Sequence, residues 1–403
     1  MRWQDDLQFY CMHFMPYDDP RQGTKDDDPD SFWVDYSNSH FDPHYAHELY
    51  QRYHREMQMV DELGFDAVVV NEHHSSMYSM NPSCNLAAAA LIPQIKRAKI
   101  CVFGVPITLV PPNRLAEEYA MLDVMSGGRL ELAIPLGTGM EYWSNQADPV
   151  TARERFKEAV KVMVQAWTRP GPTEFRGKYY NFKYLNTWPQ PMQKPHPKIS
   201  IVGSGTEETI RFAAENGWGY ASVFVPIKRQ LESFKRMEDM AAKHGHTVTP
   251  DQRMMNTIIH VAETKEQAEA EAIPHIRRFF EVNLRTTPRY LNPPGYVSLD
   301  EFRIRAGAAN AAHGGFDWEG LNELWRVAVG TPEMVAEKIY KWCDEANSNR
   351  IIMWAHLSSM PHWMVAKHLN MFAEQVMPML RKDKLNEKRK TLAKRKTAKR
   401  RAA

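Results

Sequence analysis

Residues 64–74 read GFDAVVVNEHH, and this stretch contains the unit from which the chain is built. Gly64 follows a helical segment, at a position where glycine commonly ends a helix. Phe65–Val70 is a short, β-branched run of the kind found in strands buried on both faces. Asn71–His74 then places polar, titratable side chains at the carboxyl end of that strand. The stretch therefore predicts a helix, a buried parallel strand and a candidate site, in that order.

The same pattern occurs eight times along the chain, with each strand-like segment leading towards a helical one. Such alternation implies parallel pairing with right-handed crossovers, and eight such units close naturally into a barrel. The sequence therefore predicts an α/β fold, a (β/α)8 TIM barrel. A doubly wound open sheet is the alternative, disfavoured because no G-x-G-x-x-G follows the first strand. The predicted strands are Leu7–Met15, Phe65–Val70, Ile100–Val110, Arg129–Pro135, Lys198–Val202, Tyr220–Val225, Met254–Ala262 and Arg350–His356.

Two segments are longer than ordinary loops, residues 16–45 after strand one and residues 283–319 after strand seven. In a barrel, such insertions rise from the face that carries the chemistry and often serve as lids. We predict one barrel domain over residues 1–380, with residues 381–403 as a basic, disordered tail. The aromatic residues that favour an ordered lid in the first insertion are Phe32, Trp33, Tyr36 and Phe41.

The composition excludes several classes of protein. The chain has 403 residues, of which 43% are hydrophobic and 25% charged, which is not the composition of a disordered or fibrous protein. No run approaches the ~20 apolar residues of a membrane helix, and the amino terminus lacks signal-peptide features. The four cysteines are widely spaced and form no C-x-x-C pair. They predict reduced thiols in the cytoplasm, without disulfides or a metal centre.

The net charge of +2 conceals two regions of opposite sign. Residues 381–403 contain 12 basic and 2 acidic residues, a charge of +10, which leaves 39 basic and 47 acidic residues in the first 380. The basic character thus belongs to the tail, and the body is acidic. Such a body is not typical of a nucleic-acid-binding protein, so we expect no nucleic-acid partner.

The polar residues after strand two are the strongest local feature. At the mouth of a barrel, a histidine can exchange protons near neutral pH, and a neighbouring carboxylate can fix its tautomer. Glu72, His73 and His74 are therefore the candidate catalytic residues. Surface histidines and a metal site are the alternatives. The metal is disfavoured because side chains of adjacent residues on a strand diverge.

Residues 203–209, GSGTEET, join strand five to its helix. Small residues at a helix amino terminus allow backbone N–H groups to approach an anion such as phosphate, and threonine hydroxyls add donors. A simple N-cap at Thr206 is the alternative explanation. The candidate cofactor-binding residues here are Gly203, Ser204, Gly205, Thr206 and Thr209.

Two further features are candidates for cofactor binding. Gly137, Thr138 and Gly139 follow strand four, where glycines can admit a flat ring close to the backbone, although an ordinary turn would use them too. Arg153 and Arg155 lie on the next predicted helix. They could reach a phosphate, or they could simply be solvated.

Taken together and in this order, the motifs resemble those of the luciferase-like, flavin-dependent monooxygenases, the superfamily of bacterial luciferase and alkanesulfonate monooxygenase. The resemblance runs over most of residues 7–380 and lapses in the two insertions. The stretches that carry it are GFDAVVVNEHH at 64–74, VPITLVPPNRLAEEYAMLDVMSGGRLELAIPLGTG at 105–139, RERFKEAVKVMVQAWT at 153–168, KISIVGSGTEETIRFAAENGWGY at 198–220, VGTPEMVAEKI at 329–339 and FAEQVMPML at 372–380.

The resemblance implies a barrel that binds FMN at the carboxyl ends of its strands. His73 falls on the family's active-site histidine, and Glu72 and His74 lie beside it. Thr206 and Thr209 fall on the hydroxyl positions of the family's flavin-phosphate loop.

The segment after strand four both matches the family and departs from it. Gly137 and Thr138 match residues near the flavin, but Leu136 stands where bacterial luciferase has a phosphate-binding arginine. The resemblance leaves open whether Arg153 or Arg155 compensates.

The resemblance implies a two-component monooxygenase, in which reduced FMN and O2 form a flavin peroxide that inserts one oxygen atom into an organic substrate. Because the chain has no dinucleotide fingerprint, we expect a separate reductase to supply the reduced FMN. The expected substrate is a small hydrophobic or aromatic molecule, and the family's usual homodimer would form through residues 85–95 and 114–125. A deazaflavin-dependent oxidoreductase and a non-catalytic flavin-binding subunit on the same fold are the alternatives.

Overall fold

The computed structural model describes residues 3–18, 30–223, 225–297, 316–324 and 327–381, together with Leu299 and Phe302. The predicted tail from residue 382 onward lies outside the described residues, as do parts of both insertions. The strands of the predicted barrel are described apart from residue 224.

Eight parallel strands within the described residues form a closed barrel, which confirms the predicted fold. Each strand pairs with the next along the chain, as where Tyr220 lies opposite Arg253. The eighth pairs with the first, with Arg350 opposite Gln8, so the sheet has no open edge between them. The strands are β1 Gln8–His13, β2 Ala67–Val70, β3 Lys99–Phe103, β4 Leu130–Ile134, β5 Lys198–Gly203, β6 Gly219–Ser222, β7 Arg253–Val261 and β8 Arg350–His356.

Helices surround the barrel, and the first shows why they form where they do. Asp42 caps it by accepting the backbone N–H groups of His44 and Tyr45, and Gly64 follows its end with φ +90°. No helix in the described part of the chain is both long and apolar enough to cross a membrane. The helices are α1 Pro43–Glu62, α2 Cys84–Leu91, α3 Pro112–Met125, α4 Gly139–Ser144, α5 Ala152–Thr168, α6 Glu207–Glu215, α7 Ile227–Lys243, α8 Lys265–Arg278, α9 Pro288–Leu291, α10 Trp318–Leu324, α11 Pro332–Ala346, α12 His362–Met371 and α13 Met377–Leu380.

The two larger hydrophobic cores of the described residues follow from the alternation of side chains along the strands. In β2, Ala67 and Val69 belong to the core inside the barrel, whereas Val68 and Val70 belong to the core between barrel and helices. All four side chains are fully buried, because a parallel sheet in a barrel is covered on both faces. This double burial accounts for the continuous β-branched run that marks the strand in the sequence.

The strand predicted over Ile100–Val110 is too long. It ends at Phe103, and Ile107–Leu109 forms a single 3-10 turn instead. Pro106 lacks the N–H group that a parallel ladder requires, so the strand cannot continue through it. The apolar character of the segment reflects burial of this turn, not further pairing.

Within the part of the chain that the structure describes, three short strands lie outside the barrel and were not expected from the sequence. Thr173–Arg176 and Asn181–Leu185 form an antiparallel hairpin after α5, and Ala328–Gly330 adds a parallel strand beside β7. The hairpin is largely exposed and has no continuous apolar run. Its sequence therefore lacks the signal that identified the barrel strands.

The described parts of the two insertions contact each other directly. The hydroxyl of Ser31 donates to that of Thr286 at 3.0 Å, and the backbone N–H of Phe32 donates to the carbonyl of Arg285 at 3.1 Å. Ser31 is fully buried in this contact. These contacts therefore join residues 31–32 of the first insertion to residues 285–286 of the second.

Candidate active site

The carboxyl ends of β2 and β4 bring together a histidine and a carboxylate that are distant in the sequence. His73 follows β2, and its Nδ1 lies 3.0 Å from Oε1 of Glu141. Glu141 lies on α4, the short helix after β4, and is only 1% exposed. The backbone N–H of His73 donates to the carbonyl of Asn81 at 3.2 Å, which fixes the loop behind the ring.

Glu141 has a second partner that fixes its carboxylate. Its Oε2 accepts the backbone N–H of Thr138 at 2.9 Å, at the start of α4. Burial raises the pKa of Glu141, but the hydrogen bonds from His73 and Thr138 outweigh it and leave the pKa below its ordinary value. Glu141 was not predicted from the sequence, although the T-x-x-E spacing after strand four is a capping-box signal that could have found it.

The neighbouring pair of His74 and Glu72 has a different environment. Nε2 of His74 lies 3.2 Å from Oε1 of Glu72, and this hydrogen bond raises the pKa of His74. The other oxygen of Glu72 accepts the backbone N–H of Cys84 at 3.0 Å and its thiol at 3.2 Å. Glu72 therefore ties the loop to α2 and supports His74, whereas the carboxylate beside His73 is Glu141.

Aromatic side chains enclose His73. Trp33, from the first insertion, meets the histidine edge-on with ring centroids 5.0 Å apart, and Tyr78 lies 4.7 Å away. Both are buried, so an insertion residue forms part of the wall of the site. The wall continues through Tyr78 to Phe14, Phe279 and Trp354.

Several polar atoms in this wall are buried without a hydrogen-bond partner among the described residues. They are Nε1 of Trp33, the hydroxyl of Tyr78 and the side-chain amide of Asn71. Leaving such a group unpaired costs about 1–3 kcal/mol, and buried polar groups in native proteins are generally paired. These atoms can therefore bind the polar groups of a ligand at the barrel mouth.

The loop after β5 is built around a close contact that only glycine allows. Gly205 has φ +91°, and a Cβ there would lie 2.7 Å from Nε of Arg229. The N–H of Gly205 donates to the hydroxyl of Tyr220 at 2.8 Å. Thr206 is the N-cap residue of α6, but its hydroxyl lies 2.7 Å from that of Thr209 and makes no capping hydrogen bond.

A cleft lies between this loop and α5. Arg153 and Lys157 of α5 both pair with Glu208, with Nε of Arg153 4.0 Å from Oε2 of Glu208. An anion bound here would replace Glu208 as the partner of two cations. The residues that line the cleft are Leu136, Arg153, Phe156, Lys157, Val202, Glu208, Thr209 and Phe212.

The two candidate arginines of α5 have different surroundings. Arg153 lines the cleft, with its side chain 24% exposed. Arg155 lies over the ring of Tyr179 at 4.7 Å, and its Nε donates to the hydroxyl of Thr151 at 3.1 Å. Only Arg153 is therefore beside the predicted phosphate loop.

The glycines after β4 accommodate the second insertion. Gly137 has φ +100°, and its carbonyl accepts the hydroxyl of Tyr296 at 2.5 Å. A Cβ on Gly139 would lie 2.2 Å from the carbonyl oxygen of Leu291. The close approach at Gly139 is thus made by the second insertion.

The residues predicted from the sequence fall into two groups. The group at the barrel mouth comprises Glu72, His73, His74, Gly137, Thr138 and Gly139. The group at the cleft and its loop comprises Arg153, Gly203, Ser204, Gly205, Thr206 and Thr209, and Arg155 lies apart from both.

A second histidine cluster, which was not predicted, lies between the barrel and α1. The carboxylate of Glu56, 1% exposed, lies 2.8 Å from ring nitrogens of both His13 and His356 and 2.9 Å from one of His362. We refer to these four residues as the wall cluster. His13 and His356 end β1 and β8, so the cluster joins α1 to the seam where the barrel closes.

The wall cluster is suited to hydrogen bonding and not to a metal ion, although ligand atoms of His13, Glu56 and His356 lie within 4.8 Å of one another. Nδ1 of His13 accepts the backbone N–H of Met15 at 2.9 Å, so its proton is on Nε2, which faces Glu56. A metal ion would need that nitrogen unprotonated, with the proton moved to Nδ1 against the N–H of Met15.

A barrel whose strand ends hold a histidine–carboxylate pair beneath two long insertions is the arrangement of a barrel enzyme with its active site at the carboxyl face. Residues 33–346 match the family described as luciferase-like monooxygenase. Because this match covers most of the chain, the protein belongs to the luciferase-like monooxygenases. The resemblance and the enzyme class predicted from the sequence are confirmed.

Several curated relatives of the chain are monooxygenases. Alkanal monooxygenase alpha chain from Photobacterium leiognathi is 22% identical over 83% of this chain and 94% of its own. Limonene 1,2-monooxygenase from Rhodococcus erythropolis is 23% identical over 81% of each. The oxygenase component of the flavin-dependent trigonelline monooxygenase from Acinetobacter baylyi is 25% identical over 56% of this chain and 63% of its own.

Solved structures share the fold. The monooxygenase RslO1 from Streptomyces bottropensis superimposes with a TM-score of 0.70, at 22% identity, over 93% of this chain and 99% of its own. The oxygenating constituent of 3,6-diketocamphane monooxygenase from Pseudomonas putida, in complex with FMN, has a TM-score of 0.66. It is 18% identical, and the match covers 93% of this chain and 98% of its own. An F420-dependent secondary alcohol dehydrogenase has a TM-score of 0.64 at 17% identity, and the match covers 92% of this chain and 98% of its own.

Proposed function

We propose that this protein is the oxygenase component of a two-component monooxygenase, which uses reduced FMN and O2 to oxygenate a small hydrophobic or aromatic substrate. The observation that carries the proposal is the His73–Glu141 pair, which lies at the barrel mouth inside an aromatic enclosure. Membership of the family supplies the reaction class. The pair supplies a group that can transfer a proton in an enclosed setting, as that reaction requires.

The residues present fit FMN. Arg153 and Lys157 provide positive charge for a phosphate, Thr209 adds a hydroxyl, and the amino terminus of α6 favours an anion. The unpartnered polar atoms of Asn71 and Tyr78 would satisfy the polar edge of a flavin ring. When bound, reduced FMN supplies the electrons that activate O2.

The contribution of the protein's own residues is to exclude water and to hold a proton. The insertions are hydrogen-bonded to each other, and Trp33 and Tyr78 pack against the ring of His73. Water at the reacting atoms would divert oxygen to hydrogen peroxide, so this enclosure determines how much product forms per O2 consumed. Nδ1 of His73 faces Glu141, whereas Nε2 has no hydrogen-bond partner among the described residues, which leaves it to exchange a proton.

The aromatic wall supports an apolar substrate. Phe14, Trp33, Tyr78, Phe279 and Trp354 are all buried and present ring faces and edges rather than charges. The names of two relatives specify limonene and alkanals, which are both small and apolar. We therefore propose a substrate of this class for the present protein.

The proposed partners are a flavin reductase and a second copy of the chain. One relative is the oxygenase component of its system, which supports a separate reductase. Leu86 of α2 is 73% exposed and Met121 of α3 is 52% exposed, and Met125 lies on α3 as well. Large exposed apolar residues on neighbouring helices mark interaction surfaces, so we propose that α2 and α3 form a homodimer. The cytoplasmic location stays a prediction.

The second candidate is hydride transfer with the deazaflavin F420, because an F420-dependent dehydrogenase shares the fold. A non-catalytic flavin-binding subunit is less well supported, because His73 retains a buried carboxylate partner.

The two flavins and the two reaction types can be separated in one series of experiments. FMN, reduced FMN and F420 are titrated anaerobically, and the reduced complexes are then mixed with ¹⁸O2 and a panel of terpenes, ketones and aromatic compounds. We expect tighter binding of reduced FMN than of F420, and ¹⁸O in a product. Preferential binding of F420 would favour the dehydrogenase. Hydrogen peroxide as the sole product from reduced FMN across the panel would contradict the oxygenase proposal.

A further inference from the structure

Three side-chain contacts hold the His73 ring. Its Nδ1 faces the carboxylate of Glu141 at 3.0 Å, and the rings of Trp33 and Tyr78 lie 5.0 Å and 4.7 Å from its own. The backbone N–H of His73 is bound to the carbonyl of Asn81. The imidazole is therefore held in one orientation, with its two nitrogens in different surroundings.

The surroundings of Glu141 determine which nitrogen of His73 carries the proton. A backbone N–H can only donate, so Oε2 of Glu141 is an acceptor towards Thr138. The hydrogen bond from the Thr138 N–H favours the ionised carboxylate, in which Oε1 is an acceptor as well. Nδ1 of His73 must therefore donate, which leaves the lone pair of the neutral ring on Nε2.

We propose that Glu141 is a positioning residue that holds His73 as the Nδ1–H tautomer, so that Nε2 is the atom that exchanges a proton with the bound reactants. The role of Nε2 in proton exchange rests on the proposed function, whereas the assignment of the Nδ1–H tautomer does not. A carboxylate that orients a catalytic histidine in this way lowers the cost of forming the imidazolium. The alternative is that Glu141 only caps α4 through Thr138.

The variant Glu141→Gln separates these roles. Glutamine also serves in a capping box, so α4 should be kept. Its amide NH2 can donate to Nδ1 of His73, which would move the ring proton to Nε2. Glu72→Gln is the matched change at the adjacent pair, since Glu72 contacts His74 and Cys84 instead of His73.

The test is long-range ¹H–¹⁵N NMR of the full-length protein with ¹⁵N-labelled histidine, in which His73 is assigned by the signals missing from His73→Asn. We expect Nδ1–H in the wild type and in Glu72→Gln, and Nε2–H in Glu141→Gln. In parallel, Glu141→Gln should lower kcat for coupled product by about 100-fold or more while reduced FMN binds as before.

The outcomes are distinct. Nε2–H in the wild type would overturn the proposal without any variant, and so would an Nδ1–H tautomer with unchanged kcat in Glu141→Gln. If the tautomers are as expected but the wild type forms no oxygenated product, the proposed function fails and the positioning by Glu141 stands.

Discussion

Glu56 and Glu141 are two of the buried carboxylates that hold histidines in this barrel, and they leave those histidines with different hydrogen-bond partners. In the wall cluster, both nitrogens of His356 face acceptors, Glu56 Oε2 at 2.8 Å and the carbonyl of Ser358 at 3.2 Å. At the mouth, His73 has Glu141 on one nitrogen and no hydrogen-bond partner on the other among the described residues. His13 and His356 thus have partners within the protein on both ring nitrogens, whereas His73 has one on a single nitrogen among the described residues.

The difference indicates that the wall cluster has a structural role, whereas the pair at the mouth is suited to chemistry. Ser358 links the wall cluster to the insertions, because its hydroxyl donates to Asp18 at 2.9 Å and Asp18 pairs with Arg278 at 2.7 Å. Asp18 belongs to the first insertion, and Arg278 ends α8 just before the second. The wall cluster therefore fixes the bases of the insertions, while the site that they cover retains an open nitrogen on His73. Variants in the two regions should accordingly have different effects.

The largest expected effect is the loss of coupling in His73→Ala. Removal of a general acid or base typically costs about 100- to 10,000-fold, and we expect oxygenated product to fall by about 1,000-fold while O2 is consumed to give hydrogen peroxide. Binding of reduced FMN should be kept, because the proposed phosphate cleft lies on α5 and the loop after β5. The measurement is product formed per O2 consumed.

The matched change in the wall cluster is His362→Ala, at a half-exposed position. We expect its coupling to stay within about twofold of the wild type, because His362 is half-exposed and water can replace its hydrogen bond to Glu56. An equal loss of coupling in His73→Ala and His362→Ala would show that the wall cluster takes part in the chemistry as much as the mouth pair does.

The second prediction concerns stability. Glu56→Ala removes the acceptor that three histidines share, and we expect a loss of about 3 kcal/mol in the free energy of unfolding measured with urea. Glu62→Ala on the same helix removes an exposed pair with Arg55, 58% exposed at the glutamate, and should cost no more than about 0.5 kcal/mol. Similar losses for the two variants would mean that the wall cluster does not stabilise the barrel.

The sequence could predict site residues that lie next to a strand in the chain, but not the partners that the fold brings to them. His73 could be found because the strand and its polar end are contiguous in the chain. Glu141 is 68 residues away from it, and Glu56 is 43 residues from His13 and 300 from His356. The pairing of β2, β3 and β4 brings Glu141 to His73, and the pairing of β1 with β8 brings His13 to His356. No local spacing in the sequence records either contact.

The fold could be predicted further than the site, because burial on both faces leaves a continuous apolar run in each barrel strand. The hairpin of Thr173–Arg176 and Asn181–Leu185 left no such run, since it is largely exposed. Strand three was extended too far because the turn at Ile107–Leu109 carries β-branched and apolar residues, with Ile107 fully buried, as a strand would.

A third prediction concerns pH. Burial, together with nearby His356, lowers the pKa of His13 to about 4, from 6.5 for an exposed histidine. The unfolded chain therefore takes up this proton first as the pH falls, so the stabilisation is complete above about pH 6.5 and is lost between there and about pH 4. The contribution of His13 to this loss should be about 1.4 kcal/mol between pH 7.5 and pH 5.5.

Urea unfolding at the two pH values measures this effect, with His13→Gln as the comparison. Glutamine can still donate to Glu56 but cannot be protonated, so the variant should lose about 1.4 kcal/mol less than the wild type over the same interval. His244→Gln, at an exposed position after α7, is the control for replacing a histidine by glutamine elsewhere in the chain. If His13→Gln loses as much free energy of unfolding between the two pH values as the wild type does, His13 is not buried as the neutral form.

The smallest predicted effect is the change in the free energy of unfolding when a tyrosine is replaced by phenylalanine, once beside the wall cluster and once at the mouth. Tyr53 packs on His13 in the wall and donates its hydroxyl to the carbonyl of Pro16 at 2.7 Å, so Tyr53→Phe should cost about 1 kcal/mol. Tyr78 packs on His73 at the mouth, and its buried hydroxyl has no hydrogen-bond partner among the described residues. Tyr78→Phe removes an unpaired buried group, so the free energy of unfolding should stay the same or rise by up to about 1 kcal/mol. An equal loss in both would mean that the hydroxyl of Tyr78 is satisfied within the protein and is not kept for a ligand.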